Sequence, residues 1–529
     1  MTNDKRRITT LLTTGLTVLL SQGSMAQTPD PFAELDNFEY WADLCDIAAT
    51  ATDYETALSA CEQAILLDPR NAGVWTDRSY ILLQLQQYPD AIASTRVALN
   101  LETDASVAYT WQCGAFLGLE RYEDAIDACE TALTLDSRWE MTNPAQAWTW
   151  RGLALNGLKD DEAALISFQR ASLVKPESSA LFAYQCEALL NLNRPLEAIA
   201  QCDQAIALNE NWSNLDPSQA LANRGLALER LGGNESAIAA YDRSLETLPQ
   251  NAQVWTQQGL LFAAQENYIE ALNSYTQALN IQPDYSLALV KQCETLNKLE
   301  RYDAALAACQ SALQGDRTWD RWGIAEAWNQ IAIAQTNLGQ REEALVAANR
   351  AVGFQPTYAE AWNNRGVPLW YLERYEDSLA SYNRALEIQP NYAQAWLNKA
   401  KVLQSLERYG QARLAYEEAL QIDPENATAW ANYSHLLIYL DDLDTALTAS
   451  QQALDLDPEL ISALLARGKA LITLQQYRDA IAIYQLITNL DPDNATAWGQ
   501  LALAFTQLGR SEEAQIALGR YQLLQGVED

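Results

Sequence analysis

Apolar and polar positions along this chain repeat with a beat of 34 residues. The beat is clearest in alanine: Ala57, Ala91, Ala125, Ala164, Ala198, Ala237, Ala271, Ala305 and Ala344, then, past Ser378, Ala412, Ala446, Ala480 and Ala514. Three steps are 39 residues, so the chain carries three insertions of five. Units can be numbered from residues 38, 72, 106, 145, 179, 218, 252, 286, 325, 359, 393, 427, 461 and 495. In that frame positions 4, 8 and 11 share one face of a helix, and positions 20, 24 and 27 share one face of a second. Position 4 is Trp in nine units, position 8 is small, and position 32 is Pro in nine. Turn formers such as Leu338-Gly339-Gln340 and Leu231-Gly232-Gly233 separate the helices, and Pro at position 32 cannot continue the second one. Units of this size predict an all-α chain, an α-solenoid of about 14 helical hairpins over residues 38–528.

The unit from residue 359 carries Arg365-Gly366, Arg374-Tyr375-Glu376, Ser381-Tyr382-Asn383-Arg384-Ala385-Leu386 and Pro390. These motifs resemble the tetratricopeptide repeat family, and the resemblance extends over residues 38–528. It implies a right-handed superhelix in which the first helix of every unit, helix A, lines the concave side. It also implies a groove that takes protein or peptide partners.

All eight cysteines occupy positions 8 and 24, always together: Cys45/Cys61, Cys113/Cys129, Cys186/Cys202 and Cys293/Cys309. Facing positions of an antiparallel hairpin add to a constant. The pairs 4 with 27 and 11 with 20 each sum to 31, and 8 with 24 sums to 32, so the two cysteines of a unit face each other. Packed helix axes ~8–10 Å apart bring such Cα atoms to ~4–6 Å, within disulfide range. Four intra-hairpin disulfides are expected. Three of these units end in Trp139, Trp212 and Trp319 and are followed by the insertions at 140–144, 213–217 and 320–324, which we expect to display aromatic loops.

The N-terminus reads differently. Lys5, Arg6 and Arg7 precede an apolar run from Ile8 to Leu20, and Ser24-Met25-Ala26 supplies small residues for cleavage after Ala26. Residues 1–26 are therefore expected to be an export signal, with a linker at 27–37. The destination is a periplasm, a thylakoid lumen or the extracellular space, where disulfides persist. The run is too short to span a bilayer, so no stable membrane insertion is expected once the signal is removed.

Charge narrows the partners. With 35 Lys and Arg against 69 Asp and Glu, the net charge is −34, which argues against nucleic acid and anionic membranes. On helix A, positions 2, 6, 9 and 13 point away from the packed face. Position 6 holds Asn223, Asn364, Asn398 and Asn432, whose carboxamides can grip the backbone of an extended peptide. Position 9 places Lys401, His435 and Lys469 in register, a patch suited to an acidic side chain or a terminal carboxylate. Tyr371 and Tyr439 add flat apolar contacts, whereas Trp370 suits the groove or the core. The alternative is a carbohydrate- or cell-wall-associated module using Trp370 and Tyr371.

Catalytic signatures are missing. There is no Gly-x-Ser-x-Gly, no His-Glu-x-x-His and no phosphate-binding glycine loop, and one His cannot build a triad or a zinc site. A non-enzymatic scaffold without metal or cofactor is the expectation, its protein or peptide partner unidentified.

Overall fold

A computed structural model describes residues 37–103, 105–135, 144–213 and 215–526. The expected export signal, the linker up to residue 36, Trp139 and most of the first insertion lie outside these residues. The described chain holds 28 helices and no strand, arranged as 14 antiparallel hairpins. Two compact units divide them, one ending at Leu248 and the other beginning at Pro249. Unit 1 runs from helices Phe38–Thr50 and Tyr54–Leu67 to Pro217–Arg230 and Asn234–Thr247, giving six hairpins. Unit 2 runs from Ala252–Ala264 and Tyr268–Ile281 to Ala495–Gln507 and Ser511–Leu524, giving eight.

The alanine beat marks the seam within each hairpin. Position 20 is fully buried from Ala57 to Ala480, because a methyl group is all that fits where helix B crosses helix A. Ser378 holds the same place by donating its hydroxyl to the Gly366 carbonyl at 2.7 Å. Position 8 faces position 24, as the cysteine arithmetic requires. Where position 8 is Gly, an aromatic ring fills the space: a Cβ on Gly366 would lie 2.5 Å from the Tyr382 ring, and one on Gly152 would lie 2.4 Å from Phe168. Where both positions are Cys, a disulfide fills it instead. The four bonds Cys45–Cys61, Cys113–Cys129, Cys186–Cys202 and Cys293–Cys309 join Cα atoms 5.2 to 5.4 Å apart. Closing a loop this short contributes about 3 kcal/mol per bond on the chain-entropy account.

The turn between helices A and B is a left-handed residue at position 15. It is Gly232, Gly339 or Gly509 in three hairpins, but a polar residue such as Glu373 (φ 60°) or Glu407 (φ 56°) in the rest. Successive hairpins are joined by a clamp. The Trp at position 4 donates its indole N–H to the carbonyl of the Pro at position 32 of the preceding hairpin. Trp75–Pro69, Trp362–Pro356, Trp396–Pro390, Trp430–Pro424 and Trp498–Pro492 lie at 2.8 to 3.0 Å, and Trp255 makes the same bond to Pro249 inside unit 2.

The insertions remove that clamp and tie the end of helix B back to the start of its own hairpin. In two of the extended hairpins position 32 is Glu210 or Arg317, each with an N–H that Pro lacks. These N–H groups donate to the hydroxyls of Ser179 and Ser286 at 3.0 Å. The aromatic residues there are packed rather than displayed. Trp212 and Trp319 rest half-buried against their hydrophobic clusters, and Trp322 stacks on Tyr358 with ring centres 4.4 Å apart. Our expectation of exposed aromatic loops is corrected for these two: indoles beside an apolar seam are buried by the hydrophobic effect.

Candidate functional site

Within each unit, most A helices touch the helix A of the next hairpin, while no helix B makes comparable contact with the next helix B among the described residues. Helices A therefore crowd together on the inner side of each unit. Position 6 points into that side throughout, and its residue type changes along the chain.

In unit 2, position 6 supplies a polar row. Asn398 donates to Asn363 Oδ1 at 3.0 Å, Asn363 to Asn364 Oδ1 at 3.1 Å, and Asn364 to Asn329 Oδ1 at 3.0 Å. Gln394 donates to Asn398 Oδ1 at 3.1 Å, and Asn329 donates to Glu360 at 3.2 Å. Three successive A helices are thus stitched through carboxamides. Asn364 and Asn398 each spend one amide hydrogen on a neighbour and keep one. Asn432 has no side-chain partner among the described residues. Asn223, in unit 1, takes no part in this row. It is buried and accepts from Gln219 at 3.1 Å, and its amide nitrogen has no acceptor.

The same face of unit 2 holds a buried ionic group. Lys291, at position 6, contacts Glu326, Asp320 at 3.1 Å and Glu294 at 3.2 Å. Burial opposes the lysine charge, but the surrounding carboxylates, Glu294 and Glu326 foremost, outweigh it and hold the ammonium protonated. Burial also pushes Glu326 well above the usual carboxylate range, while hydrogen bonds and Lys291 outweigh burial at Asp320 and hold it low. Burial, with Asp320 close by, favours the protonated form of Glu326 even beside Lys291.

Further along, position 9 brings Lys401, His435 and Lys469 onto consecutive A helices. The ammonium of Lys469 lies 4.6 Å from the ring centre of Tyr439, which stacks on Tyr409 at 6.0 Å. His435 is half-buried, and burial followed by the charge of Lys469 lowers its pKa. No carboxylate pairs with Lys401, His435 or Lys469 among the described residues. Lys401 and Tyr439 are exposed. Tyr371, 44% exposed, lies under the guanidinium of Arg341 and edge-on to Trp370. Trp370 leans on the core and donates to Ser405 at 3.1 Å, so its surface is partly spent on packing.

Unit 1 presents a feature the sequence reading missed. A cavity of about 1110 Å³ opens on its inner face, walled by Tyr80, Trp111, Trp150, Leu153 and Tyr184, with Asp46 at one end. The rings form a row: Tyr54–Tyr80 at 6.3 Å, Tyr80–Trp111 at 4.8 Å and Trp111–Trp150 at 5.8 Å. Gly114 makes the row possible, since a Cβ there would lie 2.7 Å from the Trp150 ring. Trp111, Trp150 and Tyr184 occupy position 6 in consecutive repeats, the register that carries Asn in unit 2. That run of aromatics was the available signal. It is visible only when position 6 is followed for residue class rather than for Asn.

No helix among the described residues is long and apolar enough to cross a membrane, and no metal-ligating cluster is found among them.

Known proteins share these features. The tetratricopeptide repeat profile matches residues 115–177, 187–252, 256–319 and 329–393. The middle TPR-like domain of cilia and flagella-associated protein 70 matches residues 370–525. Human protein O-mannosyl-transferase TMTC3 is 28% identical over 218 residues, 41% of this chain and 20% of that protein. The chain thus aligns with only a fifth of that relative. Among solved structures, the APC/C hetero-tetramer Cut9-Hcn1 covers 93% of this chain and 94% of its own, at 14% identity and TM-score 0.44. A tetratricopeptide repeat protein from Parabacteroides merdae covers 46% of this chain and 92% of its own, at 16% identity and TM-score 0.38.

Stacked hairpins with an open inner face define an α-solenoid scaffold, a class that is generally non-catalytic and suited to protein–protein interaction. The chain belongs to the tetratricopeptide repeat family.

Proposed function

We propose that this chain is an exported, non-enzymatic scaffold whose second unit holds an extended, acidic segment of a partner protein against its A helices. The observation that carries this reading is the pair of lysines Lys401 and Lys469, unpaired with any carboxylate and set on either side of His435, in a chain of net charge −34. Unneutralised cations in register on an inner face favour a carboxylate-bearing ligand. Asn364 and Asn398 each keep a free amide hydrogen for the ligand backbone, and Asn432 keeps its whole carboxamide. Tyr371 and Tyr439 offer flat surface beside them. The lowered pKa of His435 leaves its imidazole neutral at neutral pH, and protonation in acid adds one charge to the patch. Affinity for an acidic ligand should therefore rise as pH falls through that pKa.

Export rests on two supports. The basic, apolar and small-residue succession over residues 1–26 has the form of a cleaved signal, and four disulfides suit an oxidising compartment. Protein recovered from its native compartment should begin at Gln27 and show no alkylatable thiol before reduction.

A fluorescein-labelled nonapeptide of alternating glutamate and glycine tests the binding reading. Lys401→Gln with Lys469→Gln should weaken its binding roughly tenfold, and Asn364, Asn398 and Asn432 changed together to Ala should weaken it further. Affinity unmoved by either set would remove the proposal.

A further inference from the structure

The inner face of unit 1 has the opposite character to the basic trio. Its rings are not claimed by the protein's own cations. Indoles at position 4 are covered in this way: Arg170 sits 4.5 Å from Trp148, Arg350 sits 4.3 Å from Trp328, and Lys399 sits 4.5 Å from Trp396. Among the described residues no cation lies over Tyr80, Trp111 or Trp150. Trp111 is nearly buried and closes the floor of the cavity, whereas Tyr80, Trp150 and Tyr184 are half-buried and keep ring surface open.

One carboxylate without a counter-charge borders the cavity, and a second lies close enough to feel its charge. Asp77 lies one helical turn before Tyr80 on the same helix, and Asp46 lines the cavity from the preceding A helix. Neither forms a salt bridge among the described residues. Burial, reinforced by the charge of Asp46, pushes Asp77 up to about 7. A site that keeps two neighbouring carboxylates unneutralised beside open aromatic faces is complementary to a cation with an apolar stem. Lys175 and Glu177 also border the cavity and offset each other in charge.

We propose that the inner face of unit 1 is a docking site for a basic segment of a partner protein, with an arginine or lysine stem lying across Tyr80 and Trp150 and its charge held by Asp46 and Asp77. Charge complementarity selects the occupant. The walls bury the alkyl stem, the ring faces attract the cationic head, and the carboxylate pair gains the counter-charge that it lacks in the free protein. This site is independent of the acidic-ligand reading for unit 2, and each is tested by its own peptide.

The test uses the full exported chain at physiological ionic strength, which screens diffuse attraction to its negative surface. The probe is a fluorescein-labelled nonapeptide of alternating arginine and glycine, followed by fluorescence anisotropy. Asp46→Asn with Asp77→Asn should lower its affinity by about tenfold or more. The variant should stay folded, because neutralising Asp77 relieves an unfavourable charge. Trp150→Leu should weaken binding as well. Glu425→Gln with Glu459→Gln, two exposed unpaired carboxylates of unit 2, should change it less than about twofold. Unchanged affinity in the Asp46/Asp77 variant overturns the inference, as does an equal loss in the control pair. Spermine binding more tightly than the peptide would overturn the choice of a protein segment. None of these outcomes touches the glutamate peptide, whose response to Lys401 and Lys469 reports on unit 2 alone.

Discussion

The indole nitrogen of Trp362 donates to the carbonyl oxygen of Pro356 across 3.0 Å, tying its repeat of the tetratricopeptide array to the one before it. Its counterpart after the third insertion, Trp328, has a buried indole nitrogen without a partner, because Arg317 and an inserted loop stand where Pro would be. Trp362→Phe should therefore cost about 1 kcal/mol beyond the lost ring volume, while Trp328→Phe forfeits no hydrogen bond. Paired denaturant titrations of the two variants should show the larger midpoint loss for Trp362→Phe. Equal losses would mean that the clamp contributes nothing.

Gly114 and Trp150 offer a sharper test of packing. Alanine normally favours a helix over glycine by up to about 1 kcal/mol. Here the added methyl would meet the Trp150 ring, so Gly114→Ala should destabilise by about 1–3 kcal/mol and displace the aromatic row. A thermal melt checks the sign, and an increase in midpoint would contradict the close approach.

The raised pKa of Asp77 carries a pH signature. The folded protein binds this proton more tightly than the unfolded chain, so stability contributed by the protonated form is lost as pH rises from about 4 toward 7. Asp77→Asn removes that loss. Its stability relative to the parent should grow from pH 4 to pH 8, measured by urea titration at several pH values.

Lys291 and Glu326 predict opposite outcomes from two conservative changes. Lys291→Met strands carboxylates in a buried site and should cost about 3–5 kcal/mol at neutral pH. Glu326→Gln keeps the shape of the protonated acid and should be nearly neutral at pH 5. It should gain on the parent between pH 5 and 8, because over that range the unfolded chain has given up the Glu326 proton while the folded chain still holds it. Chemical denaturation of both variants at the two pH values checks the pair.

Much of this architecture is legible in the sequence. The alanine beat located the seam between helices, and summing facing positions placed Cys113 opposite Cys129 at the separation found. The Trp–Pro clamp was not legible, because periodicity reports which face a residue occupies and not which backbone oxygen its side chain reaches. Trp212 and Trp319 suggest aromatic displays in the sequence, but where Ser179 and Ser286 anchor the inserted loops these rings rest against the core. The absence of Pro at Glu210 and Arg317 was the clue. The row Trp111, Trp150 and Tyr184 escaped notice because it shares a register with Asn364 and Asn398 but not their chemistry. The hydrogen bonding of those asparagines to neighbouring helices depends on side-chain reach across repeats, which spacing alone does not specify.

A photo-crosslinking amino acid placed in the native compartment tests the binding account most directly. Thr473 is exposed on an A helix beside the basic trio, and Leu414 is exposed on a B helix of the same unit. The account predicts a crosslinked partner protein from position 473 and none from position 414. Capture from position 414 alone, or equally from both, would contradict recognition by the inner face.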